Sequence, residues 1–265
     1  GYNRYIIAKK YWKYLKFIPK NFMKYFLSSP NFIKHNLIKF FISISSVNNL
    51  KLHDINNKSQ KILDKLKIID NKYLFYKSLT TEWTNHDEIN NFEIESENDF
   101  IENNFVNYNK LSYEEQMMQS DFESYLPDDI LCKVDRSSMH YSLETRAPFL
   151  GKDVIESAYL MPSKYKIYGF NTKWILREIL KKHIPKDFYE RPKQGFGIPI
   201  SIWMKNELKD WTNDLLSREI CNKHNLFNFN IVDKLKSDHF SGFRNNENKL
   251  WSLIQFNQWY LNNIS

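Results

Sequence analysis

The chain has 265 residues, a formal net charge of +7 and an aromatic content of 16%. This length allows a substantial core in one or two domains, and only 6 glycines argue against a glycine-turned sandwich or barrel. No apolar run is long enough to span a membrane, and Cys132 and Cys221 are interpreted as free thiols of a reducing, cytoplasmic compartment.

Residues 1–45 alternate aromatic and basic side chains. One helical face collects five apolar residues: Tyr5, Ala8, Trp12, Leu15 and Ile18. The pattern favours a helix that packs into a core with its lysines in water. A membrane-surface or nucleic-acid-binding helix is the alternative. Residues 46–110 are polar and variable in character, and we expect short helices and connections there.

A clear helical pattern begins at residue 112 with residues typical of a helix cap. Ser112 followed by Glu115 predicts a capping box and a helix behind it. Pro127 is expected to end that helix, and Asp128 is placed to cap the next one.

The stretch from Leu126 to Leu150 is the most charged part of the chain that also has a helical apolar period. It carries four acids and three bases: Asp128, Asp129, Asp135, Glu144, Lys133, Arg136 and Arg146. The spacing predicts a buried face formed by Ile130, Leu131, Val134, Ser138 and Tyr141. The charges then belong either to a surface helix with ordinary salt bridges or to a site for an anionic substrate or a metal.

Further helices follow in the second half of the chain. We expect one that ends near Met161, a small hairpin over residues 165–170, and a helix capped by Thr172 with 181–183 in its last turn. Ser201 is expected to open another helix, and residues 250–261 form a last, apolar one.

Residues 191–200 read RPKQGFGIPI and form the second informative stretch. Gly195 and Gly197 lie between two prolines, with Lys193 beside them. Glycines let backbone N–H groups approach a ligand, and a nearby lysine can reach phosphate oxygens. The stretch therefore suits a phosphate contact or a plain connection between helices. His140 and His183 lack partners at metal-ligand spacing, so no metal site is expected from them.

Five stretches in order resemble the C-terminal part of the glutamine-hydrolysing asparagine synthetase family. They are GYNRY at 1–5, LPDDILCKVDRSSMHYSLETRAPFL at 126–150, KWILRE at 173–178, RPKQGFGIPISIWM at 191–204, and LWSLIQFNQW at 250–259. The resemblance extends over nearly the whole chain and is weak between about 15 and 110.

The resemblance implies ATP-dependent amide formation by a ligase. Aspartate is activated by ATP and Mg²⁺ as an acyl-adenylate with release of pyrophosphate, and glutamine-derived ammonia then displaces AMP to give asparagine. It also implies a mainly α fold, the helical part of an α/β ATP-pyrophosphatase domain of the adenine nucleotide alpha hydrolase type. We expect residues 1–265 to be a partial synthetase domain, divided into 1–110 and a motif-bearing core at 111–265.

The family's glutaminase domain and its ATP pyrophosphate loop have no counterpart in the sequence. The chain is therefore expected to be incomplete for catalysis and to act with such a portion in cis or in trans. ATP and Mg²⁺ would be held mainly by residues outside it, and a homodimer is left open. Neither nucleic acid nor membrane is expected as a partner.

Site residues are transferred from the family by position. Lys193 matches the family lysine that faces pyrophosphate and the adenylate, where an ammonium neutralises developing charge. Asp129 is placed to orient or deprotonate the incoming amine, or simply to cap a helix. Arg136, together with Gly195 and Gly197, is assigned to substrate or nucleotide binding, and Arg136 could instead pair with Asp129.

Glu144 and Arg146 match the family pattern in SLETRAPFL. We expect them to form a buried structural ion pair at a helix end, because separating such a pair is costly.

Three other interpretations remain open. The same scaffold makes other amides in related amidotransferases, including β-lactam rings and modified surface sugars. A non-catalytic basic helical module would bind through residues 1–45, and a steep salt dependence of binding would identify it. A split or decayed gene with an inactive product is the third.

Overall fold

The computed structural model describes residues 2–15, 71–83, 89–92, 100–169, 171–190 and 197–264, with isolated residues between 17 and 36. They belong to two compact units. The first contains the described residues within 1–18, 71–79 and 98–194, and the second those within 19–70, 80–97 and 195–265.

The core of the first unit lies among its first helices. These are α1 (Asn3–Leu15), α2 (Lys72–Thr80), α3 (Phe100–Asn107) and α4 (Tyr113–Glu123). Tyr5 and Ala8 of α1 are buried, as the apolar face predicts, and the Trp12 ring stacks on Phe75 of α2. Lys9 is paired with Glu114 of α4. The apolar face of α1 therefore packs against other helices of the first unit.

The capping box at the start of α4 is confirmed. The Ser112 hydroxyl accepts a hydrogen bond from the Glu115 backbone N–H, and the Glu115 carboxylate accepts one from the backbone N–H of Ser112 at 3.0 Å. Two backbone donors that a helix leaves without partners are thereby satisfied.

The next helical segment begins earlier than the sequence predicts. A π-helix (Leu126–Leu131) contains Pro127 in its first turn and runs directly into α5 (Cys132–Met139). Proline is tolerated there because first-turn N–H groups have no helical acceptor. The prediction that Asp128 caps this helix is wrong, since Asp128 lies inside the first turn and makes no capping bond.

The predicted buried face of this segment is also wrong. Val134 is 44% exposed and Tyr141 81% exposed, and neither the π-helix nor α5 contains a buried residue. The helical period is present, but the described residues only partly cover Ile130, Leu131 and Ser138 and leave Val134 and Tyr141 exposed.

The rest of the first unit consists of short elements. A 3₁₀ turn (Pro148–Leu150) leads into α6 (Lys152–Leu160) and α7 (Ser163–Lys166), and a second 3₁₀ turn (Lys186–Phe188) follows α8 (Trp174–Leu180). The helix ending near residue 161 is confirmed.

The expected hairpin lies between α7 and α8. Strands β1 (Ile167–Tyr168) and β2 (Asn171–Thr172) pair antiparallel, with Ile167 opposite Thr172. Gly169 has a φ of +60° in the connecting turn, a conformation that glycine adopts without steric cost. The prediction that Thr172 caps α8 is wrong, because the cap position is Lys173 and no side chain bonds there. Residues 182 and 183 lie beyond the end of α8.

The second unit closes its own core. Its helices are α9 (Ile200–Lys205), α10 (Lys209–Leu215), α11 (Arg218–His224), α12 (Phe229–Phe240) and α13 (Glu247–Asn263). The fully buried apolar side chains include Met204, Leu216, Val232, Leu250 and Ile254. The last apolar helix is confirmed, and the helix expected at Ser201 begins one residue earlier, directly after Pro199.

The fold class is confirmed as mainly α. Within the described residues the only strands are the two of the hairpin, so the ATP-pyrophosphatase sheet implied by the resemblance is not seen there. None of the described helices combines the length and the apolar character that crossing a membrane requires.

Candidate functional site

The GYNRY stretch at the start of the chain lies against the residue that directly precedes LPDDIL. The Tyr2 ring is 5.9 Å from the ring of Tyr125. The Arg4 guanidinium lies 4.4 Å from the centroid of Tyr2 and 4.9 Å from that of Tyr125. Such cation–π contacts contribute about 0.5–2 kcal/mol each, depending on desolvation. The arrangement holds the start of the chain against Tyr125.

A buried carboxylate holds this arrangement in place. Asp121 is 7% exposed and accepts hydrogen bonds from the Arg4 guanidinium and from the hydroxyls of Tyr5 and Tyr76. A buried carboxylate needs such donors to offset its loss of water. Helices α1, α2 and α4 each contribute one side of this group, which we call the Asp121 cluster: Arg4, Tyr5, Tyr76 and Asp121.

Electrostatics keep the cluster in one protonation state. Burial, reinforced by the Asp121 charge, raises the pKa values of Tyr5 and Tyr76 far above their usual range, so both phenols stay neutral. Burial is the largest influence on Arg4 and opposes its charge, but the hydrogen bond to Asp121 and the charge interactions with Tyr76, Asp121 and Tyr5 together outweigh it and raise the pKa of Arg4. Arg4 Nε is buried and has no acceptor among the described residues.

Asp129 lies at the edge of this arrangement. Its carboxylate is 3.1 Å from the Lys133 ammonium, one turn further on, and its side chain is 44% exposed. Burial is the largest cause of the raised pKa of Tyr2, and the charges of Asp121 and Asp129 add to it. Asp129 is therefore close enough to influence the Tyr2 phenol.

Arg136 does not pair with Asp129. The partner of Asp129 is Lys133, four residues away on the same helical face. Arg136 is exposed on α5. The sequence allowed Arg136 either to pair with Asp129 or to bind a ligand. The pairing is not formed, and the exposed Arg136 side chain is accessible to a ligand.

Glu144 and Arg146 lie together, but at the surface. Arg146 Nη2 is 2.9 Å from Glu144 Oε2, with the two side chains 82% and 74% exposed. The expectation of a buried pair is wrong for this structure, because no described residue covers this part of the chain. Exposed ion pairs contribute little to stability.

The glycine-rich stretch is described only at its end. Lys193 and Gly195 lie outside the described residues. Gly197 is described and exposed, and a Cβ at this position would meet no heavy atom within 4 Å. The described surroundings therefore do not require glycine there.

A cleft between α4 and α6 is separate from these residues. It is lined by Leu111, Glu115, Met118, Gln119, Phe122, Ala158, Tyr159 and Lys166. None of the residues assigned to the site from the sequence lines it. Among the residues that the structure describes, no three histidine, cysteine or acidic side chains group to hold a metal ion.

The sequence interpretation missed Arg4, Tyr76 and Asp121. A signal for Asp121 was available, because it falls four residues after the buried Met117 and so lies on the face of α4 that packs inward. A carboxylate at such a position needs a cationic or hydroxyl partner. No sequence signal identified Tyr76, which comes from a helix 45 residues away.

Comparison with known proteins agrees with the motif stretches. The family model described as asparagine synthase matches residues 1–261. Asparagine synthetase (glutamine-hydrolyzing) 1 of Bacillus subtilis is 32% identical over 149 residues, 56% of this chain and 23% of that protein. A putative asparagine synthetase (glutamine-hydrolyzing) of Mycobacterium bovis is 32% identical over 146 residues, 55% of this chain and 22% of that protein.

The match spans less than a quarter of the length of either relative. No solved structure matches the chain. Since the family model covers nearly all 265 residues, the chain belongs to the asparagine synthase family.

Proposed function

We propose that this chain is the helical C-terminal part of the synthetase domain of an ATP-dependent, glutamine-hydrolysing asparagine synthetase. The side-chain carboxylate of aspartate attacks the α-phosphorus of ATP, and pyrophosphate leaves. Ammonia released from glutamine then attacks the acyl carbon of the aspartyl-adenylate, and AMP leaves with the acyl C–O bond. The products are asparagine, AMP and pyrophosphate.

The observation that supports this proposal is the contact between GYNRY and the residues directly before the stretch that begins at Leu126. The Arg4 guanidinium donates a hydrogen bond to Asp121, and the Tyr2 ring lies 5.9 Å from the ring of Tyr125. GYNRY and the stretch from Leu126 both lie inside the family match. The fold of the first unit thus brings two distant parts of the family pattern near one another, which a single site requires.

The proposed roles follow from charge and position. Lys193 neutralises the charge that develops on the leaving pyrophosphate, and the glycines at 195 and 197 let the backbone approach phosphate oxygens. Asp129, paired with the Lys133 ammonium at 3.1 Å and with its side chain 44% exposed, orients or deprotonates the incoming amine. Arg136, exposed on α5, binds a carboxylate or phosphate of the substrate.

The described residues do not by themselves fit a Mg²⁺–ATP complex. Mg²⁺ takes oxygen ligands in octahedral geometry, and no cluster of carboxylates is placed for it in the part of the chain that the structure describes. We therefore assign its ligands, and the ATP phosphate loop, to a portion supplied in cis or in trans.

The experiment measures pyrophosphate and asparagine with the chain joined to a glutaminase and ATP-loop portion of the family. The substrates are ATP, Mg²⁺, aspartate and glutamine. Lys193→Ala is expected to abolish both products and to leave glutamine hydrolysis intact, whereas Lys182→Ala, an exposed lysine beyond α8, changes neither. Undiminished pyrophosphate release, or loss of glutamine hydrolysis as well, would contradict the role of Lys193.

The same assay tests the nature of the acceptor. Pyrophosphate released without asparagine formation would identify a related amidotransferase with another acceptor.

A further inference from the structure

The cleft between α4 and α6 has walls that are joined at both ends. At one end the Tyr159 hydroxyl donates to Gln119 Oε1 at 2.5 Å, and the Tyr159 ring meets the Phe122 ring edge-on at a centroid distance of 5.7 Å. At the other end the Ser163 hydroxyl, at the start of α7, donates to Glu115 Oε1 at 2.6 Å. These contacts fix the shape of a cleft of about 200 Å³, and a preformed shape lowers the cost of binding a ligand.

The two ends of the cleft differ in chemistry. Phe122 and Glu115 lie about two turns apart on α4, which is roughly 10 Å along the helix axis. Phe122 and Tyr159 make one end aromatic, and Met118 lies between the ends. Glu115 and Lys166 line the other end, where the Lys166 charge acts on the Glu115 carboxylate. The cleft therefore has an apolar end and an end that carries one negative and one positive charge.

Both charged groups can still accept a ligand. A carboxylate offers about four acceptor positions, and Glu115 uses three of them, for the backbone N–H and hydroxyl of Ser112 and the hydroxyl of Ser163. Burial opposes the charge of Glu115, but these hydrogen bonds and the Lys166 charge outweigh it and lower its pKa, so the carboxylate stays ionised at neutral pH. Lys166 is half-buried, and its ammonium makes no hydrogen bond or ion pair with the other described residues.

We propose that this cleft binds a free α-amino acid with a large apolar side chain, of about the size of phenylalanine. The side chain packs against Phe122, Tyr159 and Met118, where rings meet edge-to-face and sulfur contacts rings favourably. The ammonium group donates to the remaining position on Glu115, and the carboxylate accepts from Lys166. A cavity of about 150 Å³ holds a benzene ring, so about 200 Å³ leaves space for the charged groups as well.

Other ligand classes complement the charged end less well. An apolar carboxylic acid would bring a second negative charge beside Glu115. An apolar amine would bring a second positive charge beside Lys166. Only a molecule with both charges at one end and an apolar body satisfies Glu115 and Lys166 together. None of the residues assigned to the synthetase reaction lines the cleft, so the inference does not depend on the proposed function.

The experiment titrates the full chain with L-phenylalanine and follows binding by calorimetry and by amide chemical shifts. We expect saturable binding of one ligand per chain, with shifts concentrated in α4, α6 and α7 and absent from α13. Phenylpropionate lacks the ammonium, phenylethylamine lacks the carboxylate, and L-alanine lacks the ring. Each should bind at least about tenfold more weakly, because each loses a charge-assisted hydrogen bond or the apolar contact.

Matched pairs of variants locate the site. Ala158 and Ser157 are both exposed on α6, but only Ala158 lines the cleft. Ala158→Phe fills the cleft and should weaken phenylalanine binding at least about tenfold, whereas Ser157→Phe should leave it unchanged. Lys166→Gln should abolish the preference for phenylalanine over phenylethylamine, whereas Lys164→Gln, on the same short helix but outside the cleft, should keep it.

Three results would overturn the proposal. One is the absence of saturable phenylalanine binding up to about 10 mM, a concentration far above the dissociation constants of specific sites. Another is equally tight binding of phenylpropionate, which would show an apolar cleft without amino-acid recognition. The third is unchanged binding in both Ala158→Phe and Lys166→Gln, which would place the ligand elsewhere. The assay needs neither ATP nor glutamine, so its outcome is separate from that of the synthetase assay.

Discussion

Two stretches of similar length behave in opposite ways. Residues 126–190 and residues 200–263 are both mainly helical, and both contain many apolar side chains. In the first, Thr172 is the one buried residue of those described, whereas the second buries side chains from each of its five helices. Residues 126–190 thus leave many apolar side chains exposed, while residues 200–263 supply most of the core of the second unit, together with Ile89.

Polar contacts differ less sharply than burial does. In residues 200–263, Ser217 and Asn228 cap two of the five helices, and the other three have no side-chain cap. The buried Asn257 side chain there donates to the Leu215 carbonyl at 2.7 Å. In residues 126–190, helices α5, α6 and α8 lack side-chain caps. Caps and satisfied buried amides contribute about 1 kcal/mol each, so these contacts add to the stability of residues 200–263.

The largest expected effect concerns the Asp121 cluster, which joins α1, α2 and α4 of the first unit. Asp121→Ala removes the acceptor of Arg4, Tyr5 and Tyr76. It leaves a part-buried guanidinium without its partner, so the free energy of unfolding of the first unit should fall by about 3–5 kcal/mol. Native-state amide exchange of α1 and α4 measures this locally.

The exposed Asp135 of α5 provides the matched control, and Asp135→Ala should change stability by less than about 0.5 kcal/mol. A small effect of Asp121→Ala would show that the cluster does not hold α1 to α4.

The next prediction compares one leucine from each stretch. Leu250 is 0% exposed and Leu160 is 86% exposed. Leu250→Ala should lower the free energy of unfolding of the second unit by about 2–5 kcal/mol, because a cavity remains in a packed core. Leu160→Ala should cost less than about 0.5 kcal/mol in the chain alone. Comparable losses, measured by urea unfolding, would mean that the first stretch is covered.

Much of the fold was predictable from local patterns. The Ser112–Glu115 capping box, the burial of Tyr5 and Ala8 and the last helix depend on residues near one another, and they are confirmed. Ile18 of the predicted face lies outside the described residues. The hairpin at Gly169 is also confirmed, but its strands lie at 167–168 and 171–172 instead of within 165–170. The burial of Val134 and Tyr141 was predicted wrongly. A helical period shows which residues share a face, but not whether anything packs on it.

The candidate site, like the fold, could be predicted from the sequence only in part. Asp129 and Arg136 could be assigned from motifs, although their pairing could not, because Lys133 competes at a better spacing. The Asp121 cluster depends on a contact with Tyr76, and tertiary contacts of that kind leave no local pattern.

The stability of the second unit should also depend on pH. The backbone N–H of Asn246, in the turn between α12 and α13, donates to Nδ1 of the fully buried His239 at 3.2 Å. Burial lowers the pKa of His239, as does the charge of Lys205 on α9, while Glu247 of α13 and a backbone contact at Ser201 raise it more weakly. The folded state therefore favours the neutral ring.

The sign of the pH dependence follows from this shift. Below about pH 6.5 the unfolded chain binds a proton that the folded chain resists. Stability of the second unit should thus fall as pH decreases from 6.5 toward the lower folded-state pKa, with a slope of at most about 1.4 kcal/mol per pH unit.

His239→Asn keeps an acceptor near the Nδ1 position and removes the titration, so its urea midpoint should vary less between pH 7 and pH 5. The pKa of His224 is lowered too, by burial, and it remains in both proteins. An identical pH dependence of the variant and the unmodified chain would exclude His239 as the source.

The smallest expected effect concerns the Glu144–Arg146 ion pair. The Glu144 and Arg146 side chains are 74% and 82% exposed, so Glu144→Gln should change the stability of the chain alone by less than about 0.5 kcal/mol. Urea unfolding of the two proteins at the same pH measures this. A loss of several kcal/mol in Glu144→Gln would contradict the exposed arrangement, since separating a buried ion pair costs about 3–5 kcal/mol.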